Sequence, residues 1–187
     1  DPAVLAAAVS GRLTADWREE NEYIQITIEG FEYLEAPPLL PKTWMLRALG
    51  EVADKVQDGN YGADYPKESE WTMAGVPFIT GTALGSNGDI VKSKLRYVSE
   101  DKNRLLTKAQ IEPGDVVFPN RGARESQRNG LEAMGYLISD DFGRGNINPQ
   151  LTLIRVGSEV TSRFMKFFID SDFFLRQHRL ATSGSAL

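Results

Sequence analysis

The chain has 187 residues, 41% hydrophobic and 25% charged, with a net charge of −5. That is the composition of an ordinary globular domain with room for one core and a modest appendage. It has no cysteine and one histidine, His178, which excludes a disulfide framework, thiolate metal sites and multi-histidine metal ligation. No apolar run approaches the length of a membrane span, and these residues show no signal-peptide pattern. Charge is unevenly spread. Lys92 to Arg128 holds nine Lys or Arg against five Asp or Glu, a balance of +4 that leaves −9 for the remainder. Much of that excess is early, in Asp16, Glu19, Glu20, Glu22, Glu29, Glu32 and Glu35. A segregated basic section suits a phosphate backbone, although mild segregation also occurs in proteins that bind no nucleic acid.

Taken in order, Pro2 to Val9 is alanine-rich and predicts a helix, capped near Ser10 and Gly11. So short a helix seldom folds alone. It is expected to be the end of a longer one, and the chain to be a fragment of a longer protein. Tyr23 to Phe31 alternates in the manner of a strand. Glu35 to Pro41 reads as a stiff proline linker, with the domain boundary at Pro41 or Lys42. Trp44, Leu46 and Leu49 are candidate core, and Val52 and Val56 continue the apolar face into a short helix or strand. Asp58-Gly59 is a turn. Ala74 to Ile79 carries a turn into a short buried strand, and Thr80 to Gly88 is a loop of small residues. Ile90 to Tyr97 interleaves basic and apolar residues. Ser99 caps a short helix from Glu100 to Leu105, and Thr107 a second. After Asn129, Leu131 to Ile138 predicts a strand before an Asp140-Asp141 turn. Ile147 to Val156 predicts another. Ser158 starts a helix through about Arg176, with Phe164, Phe167, Phe168 and Leu175 at helical spacing as its core stripe.

The most informative stretch is Gln110 to Gly130. A turn at Ile111 to Asp115 leads into a buried strand, Val116-Val117-Phe118, which Pro119 ends by removing a ladder donor. The polar loop Asn120 to Asn129 follows. Arg121, Arg124, Gln127, Arg128 and Asn129 are side chains of the kinds that pair with base edges in the DNA major groove. Lys92, Lys94 and Arg96 suit phosphates, with Tyr61, Lys67 and Thr80 as weaker candidates. The plain alternative is a charged surface loop. Catalytic signals are missing. His178, placed just past the predicted helix, has no Gly-x-Ser-x-Gly elbow beside it. Neither Gly-x-Gly-x-x-Gly nor a phosphate-binding loop occurs. A binding module without catalysis is the stronger reading. A peptide- or protein-binding α/β module using a sheet edge, and a small catalytic domain, remain open.

Three blocks carry a family likeness. Val4 to Arg18 looks like the end of a spacer helix and its exit. Leu40 to Trp44, Leu49 to Val52 and Asp58-Gly59 look like the opening of a recognition domain. Gly75 to Ile79, Gly114 to Val117 and Arg121-Gly122 match its interior, and Thr182 to Ser185 resembles its closing junction. In these blocks the chain resembles the specificity subunit of type I restriction–modification enzymes. The resemblance implies an α/β (α+β) fold: a twisted, largely antiparallel mixed sheet with flanking helices, preceded by the end of a spacer helix. It implies residues 1–40 as spacer end and linker, 41–183 as a target recognition domain, the second of two, and 184–187 as the start of the next conserved region. It further implies a cytoplasmic phage-defence protein that reads one half of a bipartite site in double-stranded DNA. Methyltransferase (M) and restriction (R) subunits would then methylate adenine or cleave. The implied subunit has no catalytic residue, metal or cofactor of its own; S-adenosylmethionine, ATP and Mg would belong to its partners.

Overall fold

A computed structural model describes residues 2–12, 23–24, 40–41, 44, 46–120 and 134–182. The chain divides into two compact units, Asp1–Ala48 with Phe167–Leu187, and Leu49–Lys166.

In the first unit, α1 (Pro2–Val9) ends at Gly11, whose φ of 74° suits a residue without Cβ and whose N–H donates to the Ala8 carbonyl. Strand β1 (Tyr23–Ile24) pairs antiparallel with β2 (Leu40–Pro41). The rest of the expected Tyr23–Phe31 strand and most of the proline linker lie outside the described residues. Trp44 and Leu46 are half-buried rather than core.

The second unit begins with α2 (Leu49–Val52) and β3 (Ala53–Asp58). Val56, expected to continue an apolar face, is exposed: β3 is an edge strand, and its half-buried positions are Ala53, Lys55 and Gln57. There follow β4 (Trp71–Thr72), β5 (Val76–Ile79), β6 (Arg96–Val98), α3 (Glu100–Leu105), β7 (Gln110–Ile111), β8 (Val116–Pro119), β9 (Tyr136–Leu137), β10 (Gly145–Ile147) and β11 (Leu151–Val156). The strands form two sheets. One has the order β4-β6-β5-β10-β7 and the other β3-β11-β8-β9. Among the described strands only β5 and β10 pair in parallel, so the sheets are mixed and largely antiparallel, as expected.

The period of two along a strand explains the layers. Ile79, Ile111 and Ile147 from the first sheet pack with Val117, Leu151 and Leu153 from the second, forming the core between them. Val76 and Phe78 face the other way, against Val98 and Leu106. There Phe78 meets Tyr65 and Trp71 edge-on, with centroids 5.8 and 5.1 Å away. Such ring pairs add directional attraction to apolar burial.

Several expected elements differ. Ile147 to Val156 is two strands in two sheets, broken at Asn148-Pro149-Gln150. Thr107 caps no helix; it precedes a bend into β7. The predicted Ser158–Arg176 helix starts later and breaks. Thr161 accepts the Phe164 N–H through its hydroxyl, α4 runs Ser162–Asp170, and α5 runs Asp172–Thr182. The Ser171 hydroxyl bonds the Phe168 carbonyl and accepts the Phe174 N–H, so it serves the end of one helix and the start of the next. Phe164 and Phe167 are exposed, while Met165 and Ile169 are buried. Phe168 is half-buried against Phe173 and Phe174. His178 lies within α5, not beyond a helix, and stacks on Phe174. Burial disfavours its charged form and lowers its pKa from 6.5.

Candidate nucleic-acid interface

The predicted reading loop joins β8 to β9, neighbouring antiparallel strands. Arg121, Arg124, Gln127, Arg128 and Asn129 lie outside the described residues, but both roots of the loop lie within them. At the first root, Val116, Val117 and Phe118 are buried and Pro119 is the last strand residue. The Asn120 N–H then donates to the Gln150 carbonyl at 2.9 Å and its side-chain amide to the Pro149 carbonyl at 3.2 Å. At the second root, Met134 and Tyr136 are buried, and the Tyr136 hydroxyl donates to the Gly85 carbonyl at 2.9 Å. Gly135 lets the helix α4 come close: a Cβ there would stand 3.0 Å from the Lys166 carbonyl.

Hydrogen bonds bring four chain segments to the end of the sheets from which the loop leaves. The Asn148 N–H donates to the Ile79 carbonyl, joining the ends of β10 and β5. The Gly59 N–H donates to the Leu151 carbonyl, joining the end of β3 to the start of β11. A Cβ on Gly59 would overlap the Ile147 carbonyl and the Asn148 backbone, so the turn requires glycine. Buried Asn60 accepts the Lys108 N–H on its side-chain oxygen at 3.2 Å. The Lys108 ammonium sits 3.9 Å from the centre of the Tyr61 ring, which is 63% exposed. Tyr61, Gly62 and Tyr65 on one side and Asn148, Pro149 and Gln150 on the other line a cleft of about 320 Å³. Among the described residues, the side-chain oxygens of Asn120, Asn146 and Asn148 are buried without a hydrogen-bond partner.

The phosphate candidates differ in their partners. Arg96 stacks 3.7 Å over Trp71 and pairs with Glu68 at 3.2 Å. Lys92 pairs at 2.7 Å with Asp141, in the connection at the other end of β9 from the loop. That pair lowers the Asp141 pKa, with the Ser139 hydroxyl assisting. Lys67 donates its N–H to Glu70, capping the short turn of helix at Glu68–Glu70. Thr80 directly follows β5 and shares a hydroxyl bond with Thr82. Lys94 is exposed and pairs with no acid among the described residues. Tyr61 alone of the six lines the cleft beside the loop root. Lys108, Asn148 and Gln150 were not singled out from the sequence. The Asn-Pro turn signal inside Ile147–Val156 could have found two of them.

No helix among the described residues is long and apolar enough to cross a membrane. No group of acidic or histidine side chains among them could hold a metal ion.

No known protein family and no curated protein matches the sequence. Solved structures do match. One, described as the "structural basis underlying complex assembly and conformational transition of the type I R-M system", is 16% identical with a TM-score of 0.50, covering 90% of this chain and 33% of that one. The HsdS subunit from Thermoanaerobacter tengcongensis is 15% identical with a TM-score of 0.51, covering 98% of this chain and 37% of that one. This chain therefore spans about a third of their length. At such identity the likeness is one of fold: over nearly all its residues, this chain is folded like part of an HsdS subunit of the type I R-M system.

Proposed function

We propose that this chain is a target recognition domain of a type I restriction–modification specificity subunit, reading one half of a bipartite site in double-stranded DNA. The observation that carries the reading is the fold shared with type I R-M HsdS structures over 90% and 98% of this chain. The doubly anchored roots of the β8–β9 loop support it, since hydrogen bonds on a buried strand fix where the loop leaves the sheet. In this reading residues 41–183 are the recognition domain, 1–40 the spacer end and linker, and 184–187 the start of the next conserved region. Arg121, Arg124, Gln127, Arg128 and Asn129 contact base edges, with Arg124 foremost at the loop centre. Lys94 leads the phosphate contacts, because Lys92 and Arg96 would first have to leave Asp141 and Glu68. The chain does no chemistry itself. Methyltransferase and restriction subunits assemble with it in the cytoplasm, bring S-adenosylmethionine, ATP and Mg, and defend against phage.

The test compares Arg124→Ala with Lys94→Ala in the whole subunit, on the cognate duplex and its single-base variants at several salt concentrations. Losing an arginine–guanine pair costs about 1–3 kcal/mol and relaxes preference at one base pair. Losing a phosphate lysine weakens binding to every sequence and lowers the salt slope by about one. If both variants keep wild-type affinity and preference, the reading of this loop is wrong.

A further inference from the structure

We propose that Tyr61 and Lys108 form a backbone grip beside the reading loop, holding a phosphodiester of the same duplex. The inference rests on the DNA-reading proposal and assigns to it a site that the loop sequence does not contain.

Charge is the first argument. Among the described residues, Arg96, Lys92, Lys102, Arg104, Arg144 and Arg155 each pair with a carboxylate. Lys108, like Lys94, pairs with none; what sets it apart is that its ammonium rests on the Tyr61 ring at 3.9 Å. A cation over a ring face keeps its full charge and is held in place by the quadrupole, so it remains available to an anion. Position is the second. The Lys108 N–H is fixed by Asn60, Gly59 by Leu151, and the adjoining Gln150 carbonyl accepts the Asn120 N–H at the root of the reading loop. A short chain of hydrogen bonds thus ties the grip to the root of the loop, so that one duplex can meet both. Shape is the third. Tyr61 is 63% exposed and forms one wall of the cleft whose other wall is the Asn148-Pro149-Gln150 turn. An exposed tyrosine beside a free ammonium offers a hydroxyl and a charge to phosphate oxygens, which position a protein on DNA without reading sequence.

The experiment uses the whole specificity subunit with duplex carrying its cognate site, titrated at several salt concentrations. Lys108→Ala is expected to weaken binding to cognate and non-cognate duplexes alike and to lower the salt slope by about one. Tyr61→Ala should weaken binding in the same direction, and Tyr61→Phe, which keeps the ring, should retain the Lys108-dependent salt slope. Arg144→Ala is the control, since Arg144 lies in the β9–β10 connection and already pairs with Glu100. It should change nothing. If Lys108→Ala binds with wild-type affinity and slope while the wild type binds DNA, the grip is refuted and the reading loop stands. Relaxed preference at one base pair, or an equal loss from Arg144→Ala, also overturns it. A wild-type subunit that holds no duplex removes both proposals together.

Discussion

The two ends of the paired sheets differ in how fully their charges are matched. At the end holding the β7–β8 and β9–β10 connections, charges are matched. Asp115, 1% exposed, takes Nε and a terminal nitrogen of Arg155 at 2.8 Å each and also accepts the Glu112 N–H. Arg155 pairs with Glu112 as well, and Asp115 raises its pKa. Arg144 pairs with Glu100 and Lys92 with Asp141. At the end where the reading loop leaves, Lys108 pairs with no carboxylate among the described residues, and the side-chain oxygens of Asn120 and Asn148 accept no hydrogen bond from them. The matched end uses its polar groups to hold turns together, while the open end holds the Lys108 ammonium on a ring face rather than on an acid.

The largest expected effect is at the matched end. Asp115→Ala leaves the partly buried Arg155 without its bidentate partner and should cost about 3 kcal/mol in urea unfolding. Wild-type stability in that variant would erase the distinction between the ends. Gly59→Ala comes next. Its Cβ would collide with the Ile147 carbonyl and Asn148, so a loss of about 1–3 kcal/mol is expected, together with altered duplex binding as the Asn148 turn moves. An unchanged melting curve would show that the open end is not held rigidly. Arg144→Ala removes an exposed pair and should cost less than about 1 kcal/mol.

The smallest effect is the pH dependence. His178 has its pKa lowered from 6.5 by burial. The unfolded chain therefore takes up the proton first, so stability is full above pH 6.5 and declines as the pH falls below it. Glu70 is lowered from 4.5 by the Lys67 N–H and then by Lys102, and Asp141 from 3.8 by Lys92. Their contributions hold above those values and disappear as the pH drops through the lowered ones. His178→Gln should abolish the upper, shallow decline in a melting series and leave the lower one. A single acid transition unaffected by that substitution would contradict these assignments.

Local signals in the sequence were reliable where a feature depends on its near neighbours. Ser99 does cap α3, accepting the Lys102 N–H, and Val116 to Phe118 is a buried strand ended at Pro119. Distant contacts account for the rest. Ile147 to Val156 reads as one strand on the strength of Leu151, Leu153 and Ile154, yet Asn148 must turn to bond Ile79 and carry the chain from one sheet to the other. The phenylalanine stripe marks a helical period but not which side is buried. Met165 and Ile169 take the buried side of α4, and Phe164 and Phe167 are exposed. Lys108 was unremarkable in sequence because its role is set by Asn60 and Tyr61, nearly fifty residues earlier. Five base-reading candidates were legible only as residue types suited to the task.

The most direct measurement is selection from a pool of randomised duplexes by the whole specificity subunit containing this chain, at two salt concentrations. The account predicts enrichment of a fixed short half-site, with a constant sequence in the same register in every enriched duplex. Replacing Arg124 by Ala should relax one position of that half-site. Retention that falls with salt but enriches no sequence, or no retention at all, would contradict it.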